Sequence, residues 1–237
     1  MQIDIAKDYE TMSERVADFI LTELKQLPSL LFCASAGGTP TRPYERLAVR
    51  QKKQPALFKK MRVMQIDEWV GVTRSNSATC WMDLKTKLLA PLAIESGRFH
   101  GFKSDAADPQ KESARMAQWL ERNGPIDICI LGLGLNGHIA MNDPADALLP
   151  HAHVSKLASS SRQHSMLAAL KKKPRFGFTL GVADILSSRC ILLLVNGGKK
   201  RAVLKRVLES PVTTRLPASF LHLHPNTKIF CDRASVS

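Results

Sequence analysis

Apolar residues fall at Val16, Ile20, Leu24 and Leu27, three or four positions apart, and this spacing predicts an amphipathic helix that Pro28 helps to end. The pattern then changes. Ser29-Leu30-Leu31-Phe32-Cys33-Ala34 is a compact apolar run that breaks into Ser35-Ala36-Gly37-Gly38-Thr39-Pro40 before a helical segment through Tyr44 and Leu47. Strand, Gly-rich turn and helix thus follow one another. The same order recurs at Met61 to Ile66, Ile126 to Leu133 and Cys190 to Val195, where each apolar run leads into polar or Gly-containing sequence.

Strands alternating with helices predict an α/β fold, because parallel strands need crossover connections and these are usually helical. A mainly parallel sheet with helices on both faces is expected. In such open sheets ligands sit beyond the carboxyl ends of the strands, where the polar turns fall, so the turns are expected to converge on one cleft. No internal repeat, low-complexity tract or linker divides the chain, and residues 1–237 are expected to form one domain. The least regular stretch, 146–175, carries Pro150, His151, His153, Ser159-Ser160-Ser161 and Lys171 to Pro174. It is expected to be a mobile lid.

Composition narrows the setting. Acidic and basic residues interrupt the first thirty positions, so no signal peptide is expected, and runs such as Ile191 to Val195 are too short for a membrane helix. The five cysteines are widely spaced without a Cys-x-x-Cys pair, which favours reduced core thiols and a cytoplasmic compartment over a disulfide framework or a zinc site. Lys and Arg number 34 against 21 Asp and Glu, a formal charge of +13 that invites a polyanion. The basic residues come in short clusters with no nucleic-acid-binding motif, however, and a small anionic substrate would gain from the same field.

Chemistry concentrates in the turns. Gly37 and Gly38 would let the backbone approach a phosphate at the start of a helix, although Gly-rich turns after strands also arise for geometric reasons alone. Asp67 and Glu68 follow an apolar strand directly, where a strand end has no structural need for two carboxylates, and one of them could act as a general base. A solvated acidic turn is the plain alternative. Leu131-Gly132-Leu133-Gly134-Leu135-Asn136-Gly137-His138, continuing through Asn142 and Asp143, crowds polar groups onto a tight backbone around an imidazole, the side chain suited to proton transfer near neutrality. Asn196-Gly197-Gly198-Lys199-Lys200 again pairs glycines with a lysine that could hold a phosphate, or simply starts an exposed basic helix.

Taken together, Gly37-Gly38-Thr39-Pro40, Asp67-Glu68-Trp69-Val70, Asn136-Gly137-His138, Asn142-Asp143-Pro144, Thr179-Leu180-Gly181 and Pro217-Ala218-Ser219-Phe220-Leu221 resemble the glucosamine-6-phosphate deaminase family. The galactosamine-6-phosphate deaminase/isomerase branch is the more similar. The resemblance implies a Rossmann-like α/β fold, no cofactor, no metal, and conversion of an amino-sugar 6-phosphate to a ketose 6-phosphate with loss of ammonia. It also implies roles. His138 would open the pyranose ring, Asp67 would move the C2 proton, and Asn136 and Asp143 would position His138. Gly37, Gly38, Thr39 and Lys200 would hold the phosphate, with Glu68 and Gly137 also at the substrate.

Some positions depart from the family pattern. Many members carry Glu in place of Asp143, others Asp in place of Asn136, and a hydroxyl residue where Ala36 stands. The family's lid arginine has no clear counterpart, although Arg162 and Arg175 lie in the right region, and allosteric control through the family's carboxyl-terminal extension is not expected. The expected partner is a sugar phosphate rather than a membrane or nucleic acid, and a homo-oligomer is compatible with it. Two rivals share parts of the pattern. A 6-phosphogluconolactonase has a similar Asp-Glu and Gly-His turn but usually Arg after the Asp-Glu; a non-catalytic sugar-phosphate sensor would normally carry a DNA-binding segment before this domain.

Overall fold

The computed structural model describes residues 1–236. In chain order the strands are β1 (Gln2–Ala6), β2 (Leu31–Ala34), β3 (Arg62–Gln65), β4 (Asp67–Trp69), β5 (Phe99–His100), β6 (Ile128–Gly132), β7 (His153–Lys156), β8 (Phe176–Thr179), β9 (Cys190–Val195) and β10 (Thr227–Asp232). The helices are α1 (Tyr9–Gln26), α2 (Thr41–Lys53), α3 (Cys80–Leu84), α4 (Pro109–Asn123), α5 (Val182–Leu186) and α6 (Arg201–Glu209).

Seven strands form one sheet in the order β1-β10-β9-β6-β2-β3-β5. All its neighbouring pairs run parallel. The expected α/β architecture is therefore present. Because both faces are covered, the central strands read as continuous apolar runs rather than alternating ones. Their side chains nevertheless alternate in space: Phe32, Ala34, Ile128, Ile130, Leu192 and Leu194 pack beneath α1 and α2. Leu31, Cys33, Cys129, Leu131, Ile191, Leu193 and Val195 pack on the other face, against Met116 of α4 and Val203, Leu204 and Val207 of α6. Each large apolar side chain buried this way contributes roughly 1.5–3 kcal/mol, which is why the sheet centre carries no polar residue.

Helix α1 forms as its periodicity predicts, with Met12, Val16, Ile20 and Leu24 buried and Leu27 at its end. Asp8 caps its start by accepting the Thr11 N–H at 2.7 Å. All five cysteines are buried and unpaired. No helix among the described residues is long and apolar enough to cross a membrane.

A second, antiparallel sheet of order β4-β8-β7 lies outside the sequence expectation. Part of the stretch expected to be irregular, His153-Val154-Ser155-Lys156, is a strand here. Its mixed polar sequence carries no strand signal of its own; the ladder to β8 supplies the backbone partners that local sequence does not advertise.

On the outer surface, α1 and α2 are joined by charges repeating every fourth residue on both helices. Arg42 pairs with Glu10 at 3.0 Å, Arg46 bridges Glu10 and Glu14, and Arg50 reaches Glu14 at 2.7 Å and Asp18 at 2.5 Å. Single exposed pairs are worth little, so what matters is the network. Arg46→Ala, which breaks two of its links, is expected to lower unfolding stability by about 1 kcal/mol at low ionic strength, with the difference shrinking in about 1 M salt. Denaturant midpoints of both proteins at the two salt concentrations check this.

Candidate active site

The turns after β2, β3, β6 and β9 open on one cleft of about 410 Å³, within the usual size range of small-molecule sites. Asp67, Asn136, His138, Lys200 and the Gly37–Thr39 loop all line it.

The loop after β2 is held from several sides. Gly37 has φ +113°, a left-handed conformation that favours glycine, and its N–H donates to Asp83 Oδ2 at 3.0 Å. Thr39 Oγ1 donates to Asn196 Oδ1 at 2.8 Å, tying this turn to the one after β9. Tyr9 Oη contacts the Gly38 and Thr39 carbonyl oxygens, each at 2.9 Å, and accepts the Arg42 N–H at 3.2 Å. The start of α2 is thereby less open than the sequence suggests. Its Thr41 N–H donates to Gly38 O, its Arg42 N–H is taken by Tyr9, and Pro43 has none. Among the described residues, the amides left for an anion here are those of Gly38 and Thr39. Lys200 projects into the same region and donates to Leu133 O. Burial holds its ammonium below the usual lysine range.

Asp67 and Glu68 are neighbours on a strand, so their side chains point in opposite directions. Asp67 faces the cleft. Burial, reinforced by the adjoining Glu68 charge and only partly offset by a hydrogen bond with Cys80, pushes Asp67 up to about 7. Glu68 faces inward, fully buried. It accepts the N–H groups of Trp69 at 2.7 Å, Cys80 at 2.9 Å and Trp81 at 2.8 Å, and the Gln65 amide at 2.9 Å. The expectation that Glu68 meets substrate is therefore corrected: its carboxylate anchors the start of α3 and does not line the cleft.

The turn after β6 shapes the imidazole site. The Gly134 N–H donates to His138 O at 3.0 Å, and a Cβ on Gly134 would collide with the His138 ring. Asn136 Oδ1 accepts the His138 N–H at 3.1 Å, while its amide nitrogen donates to Asp143 Oδ1 at 2.9 Å. That same Asp143 oxygen lies 3.2 Å from His138 Nδ1. The approach is an ion-pair distance, but its direction leaves Nδ1 without an aligned hydrogen bond. Asp143 also accepts the Ala158 N–H at 2.9 Å and the Ser161 hydroxyl at 2.9 and 3.0 Å. Burial alone would raise its pKa; the approach of His138 and the hydrogen bonds from Ala158 and Asn136 outweigh it and hold the carboxyl at about 2. Gly137 is a second correction. With φ +91° and a Cβ position filled by Leu216, it supports the turn from behind rather than facing the cleft.

Residues the sequence left unassigned also line the cleft: Trp69, Cys80, Gln163, His164 and Met166, with Ser160 and Ser161 from the serine run. Arg162 and Arg175, named for the lid by region, do not. The serine run and the irregular composition of 146–175 were the available signals for this wall, but neither marks His164. The described residues contain no cluster of His, Cys, Asp and Glu able to hold a metal ion.

A cleft that sets one carboxyl near neutrality and a carboxylate-backed imidazole beside loop amides and a lysine is that of an α/β enzyme built for proton transfer. Residues 7–230 match the family model described as glucosamine-6-phosphate isomerases/6-phosphogluconolactonase, and the chain belongs to that family. A putative deaminase, AgaI, from Escherichia coli (strain K12) is 34% identical over 93% of this chain and 87% of its own. The glucosamine-6-phosphate deaminase of Geobacillus sp. (strain WCH70) is 30% identical over 100% of this chain and 95% of its own. A solved structure of a monomeric glucosamine-6-phosphate deaminase superposes with a TM-score of 0.94 at 28% identity, covering 99% of this chain and 98% of that one. A 6-phosphogluconolactonase from Trypanosoma brucei, at 19% identity and a TM-score of 0.79, shares the fold.

Asp67 generates a stability prediction. Its pKa in the folded chain lies above the unfolded value, so the folded state holds the extra proton and its stability falls as pH rises from about 4 through about 7. Asp67→Asn is therefore expected to be more stable than the parent at about pH 8, by a few kcal/mol at most, with the gain vanishing near pH 4. Denaturant unfolding at the two pH values reads it directly.

Proposed function

We propose that this enzyme isomerises and deaminates a 2-amino-2-deoxyhexose 6-phosphate, galactosamine- or glucosamine-6-phosphate, giving a ketohexose 6-phosphate and ammonia. The observation that carries the proposal is the meeting of Asp67 and His138 in one cleft with the Gly37–Thr39 loop and Lys200. The names of the relatives, deaminases at full-length coverage, support the same reaction.

The phosphate sits on the Gly38 and Thr39 amides, with the Lys200 ammonium as a point charge and Gly37 turning the loop. His138, oriented by Asp143 and by the Asn136 brace, takes the proton of the anomeric hydroxyl and returns one to the ring oxygen, opening the pyranose to its aldehyde. Asp67 then removes the C2 proton and delivers it to C1. The C2 ammonium gives one proton to the C1 oxygen, so the C1 carbonyl becomes a hydroxyl while the C2–N bond becomes an iminium. Water adds at C2, the C2–N bond breaks, and ammonium leaves as the ketone forms. Amino-sugar phosphate plus water thus balances ketose phosphate plus ammonium, with no electrons gained or lost. Proton transfers by positioned groups of this kind contribute about 10²–10⁴-fold each.

The stretch 146–175 serves as the lid of this single domain. Ser160, Ser161, Gln163 and His164 from it line the cleft, and Ala158 and Ser161 hydrogen-bond Asp143. Closure and imidazole orientation are linked through that carboxylate. The formal charge of +13 draws the anionic substrate toward the cleft rather than marking a nucleic-acid surface.

Ammonia release from glucosamine-, galactosamine- and N-acetylated amino-sugar 6-phosphates, with 6-phosphogluconolactone hydrolysis run in parallel, tests the reaction. At least one free-amine sugar is expected to turn over, and Asp67→Asn and His138→Gln are each expected to lose about 10²-fold or more. Lactone hydrolysis without ammonia release would overturn the proposal. Because Asp67 must be ionised to take the C2 proton, kcat/KM is expected to climb with pH through about 7 and then level, a profile that stopped-time assays between about pH 5 and 9 resolve.

A further inference from the structure

His164 has no role in the chemistry above, yet it stands at the phosphate end of the cleft. Its ring carbon Cε1 and nitrogen Nε2 lie 3.9 Å from the point where a Cβ on Gly37 would be, so the imidazole edge faces the β2–α2 loop. The opposite edge is occupied. Nδ1 accepts the Met166 N–H at 3.3 Å, and a neutral ring that accepts at Nδ1 carries its proton on Nε2. Packing sets the orientation: the ring centroid is 6.0 Å from that of Trp69, the residue following the buried Glu68 anchor. A donor is thus presented toward the loop whose Gly38 and Thr39 amides have no other partner among the described residues.

We infer that His164 is a direct contact to the substrate's phosphate, donating from Nε2 across the loop and closing the anion seat from the lid side. The inference rests on the reaction proposed above only for the identity of the substrate; the ligand chemistry it needs is a phosphate group. The charged groups acting on the ring are His138, Lys200 and Lys87, which disfavour its protonation, and Asp83, which favours it; burial adds to the first set and holds His164 below the usual histidine range. Without ligand the ring is therefore predominantly neutral near pH 7. The one donor, Nε2–H, then points at a phosphate dianion placed on Gly38 and Thr39, while Nδ1 stays engaged by the Met166 N–H. The anionic acceptor makes this hydrogen bond charge-assisted, and the lid is drawn down on the loop.

Inorganic phosphate is the probe, titrated into the parent and into His164→Ala and His164→Gln by calorimetry and as a competitive inhibitor of turnover. His164→Gln retains an N–H donor and guards against an effect of lost packing, and thermal midpoints verify that both variants fold. His164→Ala is expected to weaken phosphate about tenfold and to raise KM by a similar factor, with a much smaller change in kcat. His164→Gln, which keeps an N–H donor, should recover part of the affinity. Phosphate affinity within about twofold of the parent in a folded His164→Ala, or no phosphate binding by the parent, would overturn the contact. Should phosphate binding depend on His164 while no amino-sugar phosphate releases ammonia, the proposed reaction fails and this contact stands.

Discussion

Parallel strands exchange slanted backbone hydrogen bonds and cannot be joined by tight hairpins, so each must be followed by a crossover that returns to the starting edge. That constraint organises this molecule. The central strands β2, β3, β6 and β9 end on the same edge of the sheet, and their apolar side chains fill both faces so completely that polar residues are displaced to the turns beyond them. The loops there carry the cleft because they are the places on these strands where polar groups can remain without being buried unpaired.

Two carboxyls, Asp67 in the cleft wall and Asp143 behind His138, are driven apart by their surroundings. Asp67, recessed beside another carboxylate with little hydrogen bonding, is pushed up to about 7. Asp143, set beside His138 and supplied with donors from Ala158, Asn136 and Ser161, is held at about 2. Environments that separate like groups in this way leave one carboxyl titrating near neutrality and the other a permanent anion. The fold sustains the strain of the first through Glu68, whose four hydrogen bonds confine its own charge and lock α3 against β4.

Much of this was legible along the chain because several signals agreed. The apolar runs marked β2, β3, β6 and β9 to within a residue or two, and the glycine-rich and acidic turns marked the cleft wall. Two assignments failed for a shared reason. Asp67 and Glu68 are equivalent in sequence but sit on opposite sides of a strand, and Gly137 serves the turn's rear, where Leu216 from a distant segment occupies the space. His164 escaped notice because nothing local distinguishes it; its meaning comes from Gly37 and Trp69, far away in sequence.

By itself, the order of residues determined the α/β class, the strand–turn–helix grammar and the polar turns available for chemistry, since these follow from periodicity and from the backbone freedom of glycine. The tertiary structure decided which carboxylate faces the cleft, which amides of the Gly37–Thr39 loop stay free, and how β7 and the cleft wall of residues 160–166 are held. Those outcomes depend on partners many residues apart, and only packing brings such partners within hydrogen-bonding distance.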